Sequence, residues 1–332
     1  VVTGKGGTGK TTVAAALALA LASGGRRTLL IEVEGRQGIA QLFDTPPLPY
    51  QEKKIAVAPQ GGEVRALAVD AEEALLDYLE MFYRLGRAGK ALKRFGAIDF
   101  ATTIAPGMRD VLLTGKVKEA VTRSEKGKRV YDAVVLDAPP TGRIGRFLNV
   151  TAEVAGLAKM GPIKSQSDAV MAVLRSPMTA VHVVTILEEM PVQETADALE
   201  ELRRTKLPTG AVIVNATQPP VLAGQQVTAA ELRRGLVAAG LPAGRPLVTA
   251  LAEEAAAHAL RVDLEQRLRG VLAELGQPVI ELPWLSDGVD LGGLYALSAK
   301  LGAAAGLNEQ ELVNEQGLHD KQKSGKQGAG QR

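Results

Sequence analysis

Gly4-Lys5-Gly6-Gly7-Thr8-Gly9-Lys10-Thr11-Thr12 stands at the very front of the chain and satisfies the spacing G-x-x-x-x-G-K-[ST]. The pattern has a mechanism. Gly4, Gly6, Gly7 and Gly9 let successive backbone N–H groups turn inward around Thr8 and form a concave anion nest. The apolar run that follows, residues 13–21, reads as a helix whose positive dipole end faces the nest. Lys10 is then the residue to reach the β- and γ-phosphates, the Thr11 hydroxyl the one to hold Mg²⁺, and Thr12 its neighbour in the first turn. The stretch therefore predicts a site for ATP and Mg²⁺ and a strand–loop–helix entry into an α/β fold. A strand normally leads into such a loop, and only Val1 and Val2 stand before Thr3, so a short piece is expected to precede them.

Outward from the loop, short apolar runs alternate with helical patterns. Residues 28–33, 64–69, 130–136, 181–187, 211–215, 246–249 and 278–282 read as strands; residues 192–204 and 229–239 read as helices. Strands that are apolar almost throughout suit a sheet covered on both faces. The expected fold is a doubly wound, mostly parallel α/β sheet, with ligands at the carboxyl ends of its strands. Two stretches, 71–126 and 151–175, carry long helical patterns without strands and predict an inserted helical subdomain. Residues 1–313 then form one domain, and the polar tail 314–332 reads as disordered.

Composition narrows the function classes. Of 332 residues, 46% are hydrophobic and 23% charged, as in ordinary globular proteins. No apolar stretch reaches the roughly 18 residues of a membrane span without a charge or glycine. The net charge of +2 and an aromatic content of 3% argue against nucleic acid as a partner. Cysteine is absent, which excludes disulfides and thiolate metal sites and fits a cytoplasmic setting. The three histidines are scattered, and His182 reads as a satisfied strand residue.

A second lysine inside the loop, Lys5, gives K-G-G-x-G-K-T-T. This resembles the deviant Walker A ATPases, a class that includes the arsenical-pump and tail-anchored-protein-targeting ATPases. In that class the extra lysine crosses a dimer interface to the partner's phosphates, so the resemblance implies a dimer with facing ATP sites and a catalytic role for Lys5 beside Lys10. The plain alternative is a solvated lysine. Asp137 ends a strand and is followed by Ala138-Pro139-Pro140-Thr141-Gly142, similar to the second switch of that branch. The resemblance gives Asp137 to Mg²⁺ and Gly142 to sensing the γ-phosphate. Glu34 falls where the branch has the aspartate that activates the attacking water; the alternative is a structural glutamate and slow or lost hydrolysis.

The segment 188–195 (EEMPVQET) also fits the branch. Asn215 matches its adenine-reading asparagine, and Pro283-Trp284 its loop against the adenine ring. The resemblance covers about residues 1–305 and is strongest to actinobacterial members described as anion-transporter ATPases, which often pair as two paralogous chains. It implies a homodimer or heterodimer that opens and closes on ATP to capture or release a partner. The rival is a nucleotide-dependent interaction protein with little turnover. Arsenite and zinc sites of the branch use cysteines, so neither is expected here. The inserted helices with their methionines are a candidate groove for a hydrophobic client, or simply a helical core. The basic stretch 84–95 is a candidate for peripheral contact with a membrane, or a solvated face.

Overall fold

The computed structural model describes residues 1–83, 108–149, 162–222 and 227–306. The basic stretch 84–95, residues 151–161 of the second helical run and the tail 314–332 lie outside the described residues.

Among these, eight strands form one sheet: β1 (Val2–Gly4), β2 (Arg27–Glu32), β3 (Lys53–Val57), β4 (Glu63–Ala68), β7 (Ala133–Asp137), β8 (Val181–Thr185), β9 (Thr209–Thr217) and β10 (Val279–Pro283). Their spatial order is β10-β9-β8-β1-β7-β2-β4-β3. All neighbours run parallel except β3, which returns antiparallel along β4 and closes that edge. Side chains alternate between two buried clusters. Leu29, Ile31, Leu136 and Val183 enter one; Leu30, Val135, Val184 and Ile213 enter the other. That is period-two packing with both faces covered, the doubly wound α/β architecture that the apolar runs predict.

Helices supply the covers. α1 (Lys10–Ala22) has Val13, Ala14, Ala15, Ala16, Leu19 and others fully buried, so it is apolar all round. It shares its cluster with Leu294, Leu297 and Leu301 of α10 (Leu291–Ala304). The opposite face holds α3 (Ala71–Tyr83), α4 (Met108–Thr122), α5 (Thr141–Leu148), α6 (Pro162–Leu174) and α7 (Glu189–Arg204). Ala74, Leu112, Val117, Val170 and Met171 from the expected helical insertion belong to the same buried cluster as Leu29 and Leu136.

Two local expectations differ from the structure, and one strand was not anticipated. Residues 246–249, read as a strand, lie inside α9, a helix of 30 residues spanning Arg245–Glu274. Pro246 stands in its first turn, where its missing N–H is not needed and its fixed φ is already helical. The half-exposed edge strand β3 was not expected. A small hairpin, β5 (Ser124–Glu125) with β6 (Lys128–Arg129), interrupts the stretch expected to be purely helical. Its turn places Lys126 at φ 50° and Gly127 at φ 78°, the paired left-handed residues of a two-residue hairpin. The remaining helices are α2 (Gly38–Leu42) and α8 (Ala229–Ala238).

Candidate functional site

The loop between β1 and α1 sits at the carboxyl end of the sheet. Gly4 has no room for a side chain, since a Cβ would lie 2.1 Å from the Val184 carbonyl oxygen. Gly9 caps α1 at φ 86°, a conformation L side chains rarely adopt, and a Cβ there would meet Asn215 Nδ2 at 2.2 Å. Gly6 and Gly7 face open space and are exposed. The buried Thr8 hydroxyl donates to the Lys5 carbonyl at 2.9 Å and pins the loop from inside. Thr12 is half-buried in the first turn of α1.

Lys10 is 9% exposed at the helix start. Burial holds its ammonium below the ordinary lysine range, while the charges of Asp137 and Glu34 oppose that shift and Arg36 adds to it. Such a cation is poorly solvated and gains strongly from an incoming anion. Next to it the Thr11 hydroxyl donates to Asp137 Oδ2 at 2.7 Å. Asp137 Oδ1 is buried and has no partner. Burial pushes the Asp137 carboxyl up to about 6, against the Thr11 hydrogen bond and the Lys10 charge; Glu32 and Glu34 raise it further. A carboxylate with one buried oxygen left bare, beside a threonine hydroxyl, is the hard-oxygen donor set that suits Mg²⁺ and its waters.

Glu32 and Asp137 lie opposite each other in the β2–β7 register. Glu32 turns to its own loop. Its carboxylate accepts from the Gln37 N–H at 2.5 Å and the Ile39 N–H at 3.3 Å, and so holds the start of α2. Glu34, two residues on, is half-buried and pairs with Arg36 at 3.6 Å and Arg143 at 3.7 Å. Arg143 follows Gly142, which is exposed with nothing near it in the first turn of α5. The ion pair therefore joins the segment after β2 to the segment after β7.

Lys5 makes a contact of its own. Its Nζ is 2.9 Å from Glu194 Oε1 on α7, and Glu194 Oε2 accepts from the Thr141 hydroxyl at 2.9 Å. These two contacts hold the Glu194 carboxyl below the usual range, the Lys5 hydrogen bond first. On the other side of the loop, Asn215 Nδ2 donates to the Thr8 carbonyl at 3.0 Å. Asn215 and Trp284 line one cavity of about 200 Å³. Pro283 ends β10 opposite Thr217, and the Trp284 N–H donates to the Thr217 carbonyl at 2.9 Å, which fixes where the indole starts. His182 sits in β8, where its Nδ1 accepts from the Ala211 N–H at 3.0 Å.

Residues 1–179 match the family model described as anion-transporting ATPase. The chain belongs to the anion-transporting ATPase family. It is 57% identical over 309 residues to ATPase BagA from Mycobacterium tuberculosis, covering 90% of this chain and 91% of that one. An arsenical pump-driving ATPase from Acidiphilium multivorum is 25% identical over 268 residues, 73% of this chain and 43% of that one. ATPase GET3 from Kluyveromyces lactis is 25% identical over 247 residues, 64% of this chain and 70% of that one.

Membership in the anion-transporting ATPase family makes the chain a nucleotide-dependent ATPase in kind. Among its described residues no helix is long and apolar enough to cross a membrane. Glu32 and Arg143 stand beside the candidate site residues although the sequence analysis singles out neither, and Glu194 falls within its 188–195 segment without a role. Glu32 carries the same strand-end signal as Asp137 and could have been found by it. Arg143 and the partnership of Glu194 with Lys5 carry no local signal, because their contacts join segments far apart in the chain.

Proposed function

We propose that the chain is a Mg-ATP-dependent dimeric ATPase whose opening and closing captures or releases a partner, a hydrophobic protein client among the candidates. The observation that carries the reading is the grouping of a desolvated Lys10, the Thr11–Asp137 pair with its bare buried oxygen, and Glu34 at one mouth of the loop. Loop N–H groups and Lys10 bind and orient the triphosphate; Thr11 and Asp137 hold Mg²⁺. The metal, when bound, neutralises charge on the transferring phosphoryl group. Glu34 takes the proton of the attacking water. Gly142 has open space around it for an oxygen of the terminal phosphate, and Asn215, Pro283 and Trp284 form the adenine end. Lys5 leaves Glu194 to reach across to a second subunit, either an identical chain or a paralogue. Work at a cytoplasmic site, with peripheral contact at a membrane, fits this scheme.

A second reading has its own support. The two arginines on Glu34 tie up the carboxylate, which suits a nucleotide-dependent interaction protein with little turnover. Mg-ATP separates the possibilities in two steps. It should raise thermal stability by roughly 2–4 kcal/mol at saturation, and Lys10→Ala should remove most of that gain. An unchanged melting response in the wild type sinks both readings. Steady-state hydrolysis, measured with and without a paralogous chain, then separates the enzyme from the interaction protein.

A further inference from the structure

The cavity that holds Asn215 and Trp284 has a third wall from α9, which no sequence motif marks. Arg261 and Glu265 of α9 line it, as do Glu188 and Gln218. Glu265 is a charged residue only 8% exposed. It is held from both sides: Arg261 Nε donates to its Oε1 at 3.0 Å, and Arg269 reaches its Oε2 at 3.7 Å. Arg269 donates in turn to both carboxylate oxygens of Glu281 on β10, at 2.8 and 3.1 Å. Glu281 stands three residues before Trp284. One chain of ion pairs thus ties the helix wall to the strand that carries the indole.

The Nε–H bond to Glu265 orients the Arg261 guanidinium, and with the side chain 61% exposed its remaining surface is open to a ligand. Fixed guanidinium planes stack on aromatic rings and attract their π-faces. The cavity volume of about 200 Å³ suits a purine ring, and Asn215 connects it directly to the phosphate loop through Thr8. We infer that Arg261 is a base-contacting residue of the nucleotide site, stacking on the purine that also meets Trp284, and that Glu265 is the positioning residue that sets its plane. This rests on the reading of the loop as an ATP site and extends it to a helix that the motifs leave out.

Trp284 is the chain's single tryptophan, so its fluorescence reports occupation of this cavity. Mg-ATP and Mg-tripolyphosphate, which lacks the base, are titrated into wild type, Arg261→Ala, Arg261→Lys and Glu265→Gln. Binding of tripolyphosphate is followed by calorimetry, since no change in indole emission is expected from it. Arg261→Ala should raise the Kd for Mg-ATP about tenfold, in line with other stacked bases, and leave that for tripolyphosphate within about twofold. Arg261→Lys should behave like the alanine variant, because the charge survives but the plane does not. Glu265→Gln should weaken ATP alone, by a smaller factor. Wild-type affinity in Arg261→Lys, or equal weakening of both ligands in Arg261→Ala, overturns the inference and makes Arg261 a general cation for the phosphates. Failure of wild type to bind Mg-ATP at all overturns the ATP site itself, and this inference with it.

Discussion

Asp137→Asn should make the nucleotide-free protein more stable at neutral pH while removing its response to Mg²⁺. The Asp137 carboxyl is 8% exposed, has one oxygen without a partner, and is pushed from 3.8 up to about 6 by burial. A folded-state pKa above the unfolded value means that the folded protein keeps a proton that the unfolded chain has already lost. Between about pH 4 and 6 the native state therefore binds more protons, and stability falls as pH rises through that window. At about 1.4 kcal/mol per pH unit, the gap corresponds to about 3 kcal/mol. Asparagine cannot titrate. It can still accept from Thr11, and its amide nitrogen in place of the bare oxygen costs about 1–3 kcal/mol at every pH. The quantity to measure is the stability difference between variant and wild type, by urea denaturation at several pH values from 4 to 8. Groups that titrate alike in both proteins cancel in that difference. It should grow in the variant's favour by about 2 kcal/mol between pH 4 and 7 and then level off. A difference independent of pH would refute the desolvated-carboxylate argument. With saturating Mg-ATP at pH 7.5, wild type should recover the deficit and the variant should not.

Glu34→Gln should bind Mg-ATP with wild-type affinity and slow single-turnover hydrolysis by about a hundredfold or more, since the amide cannot take the water's proton. Equal hydrolysis in the two proteins moves the weight to the interaction-protein reading. Lys5→Ala should change melting by less than about 1 kcal/mol, because its pair with Glu194 is one-third exposed, yet abolish ATP-dependent association seen by sedimentation; retained association would show that Lys5 stays within its own subunit. Gly9→Ala should weaken nucleotide binding and destabilise the loop by at least about 1 kcal/mol, given its φ of 86° and the Asn215 amide 2.2 Å from the new Cβ. Asn215→Ala in the same background should recover part of the lost stability, though not the nucleotide affinity, and no recovery of stability would mean that backbone strain alone is at work.

The fold was legible wherever one physical signal dominated. Strands buried on both faces, such as β2 and β7, have almost no polar positions to disguise them, and the loop glycines answer to backbone geometry alone. β3 was hidden because an edge strand with one wet face reads as Lys-Lys-Ile-Ala-Val, too short and too polar to stand out. The start of α9 was misread because Pro-Leu-Val-Thr resembles a strand locally, while the alanine- and glutamate-rich stretch behind it decides for helix. At the candidate site, Thr11 and Asp137 come from separate motifs, and the structure joins them by a hydrogen bond. Arg143, which pairs with Glu34, and the proposed Arg261 and Glu265 were not legible, because a helix surface far along the chain carries no spacing rule that points to a loop near residue 5.

The two borders of the large sheet bear on how copies of this chain can meet. One border is β3, whose Lys53 and Lys54 are exposed. The other is β10, which ends in a proline without an N–H and whose Glu281 is engaged by Arg269. Lysines, proline and an ion pair are what keep a lateral border from templating another strand. Continuation of the sheet from molecule to molecule is thereby disfavoured at both sides, and with it growth into ribbons or fibres. Any contact between copies is thereby left to helices and loops, where it can form and dissolve without unzipping the backbone.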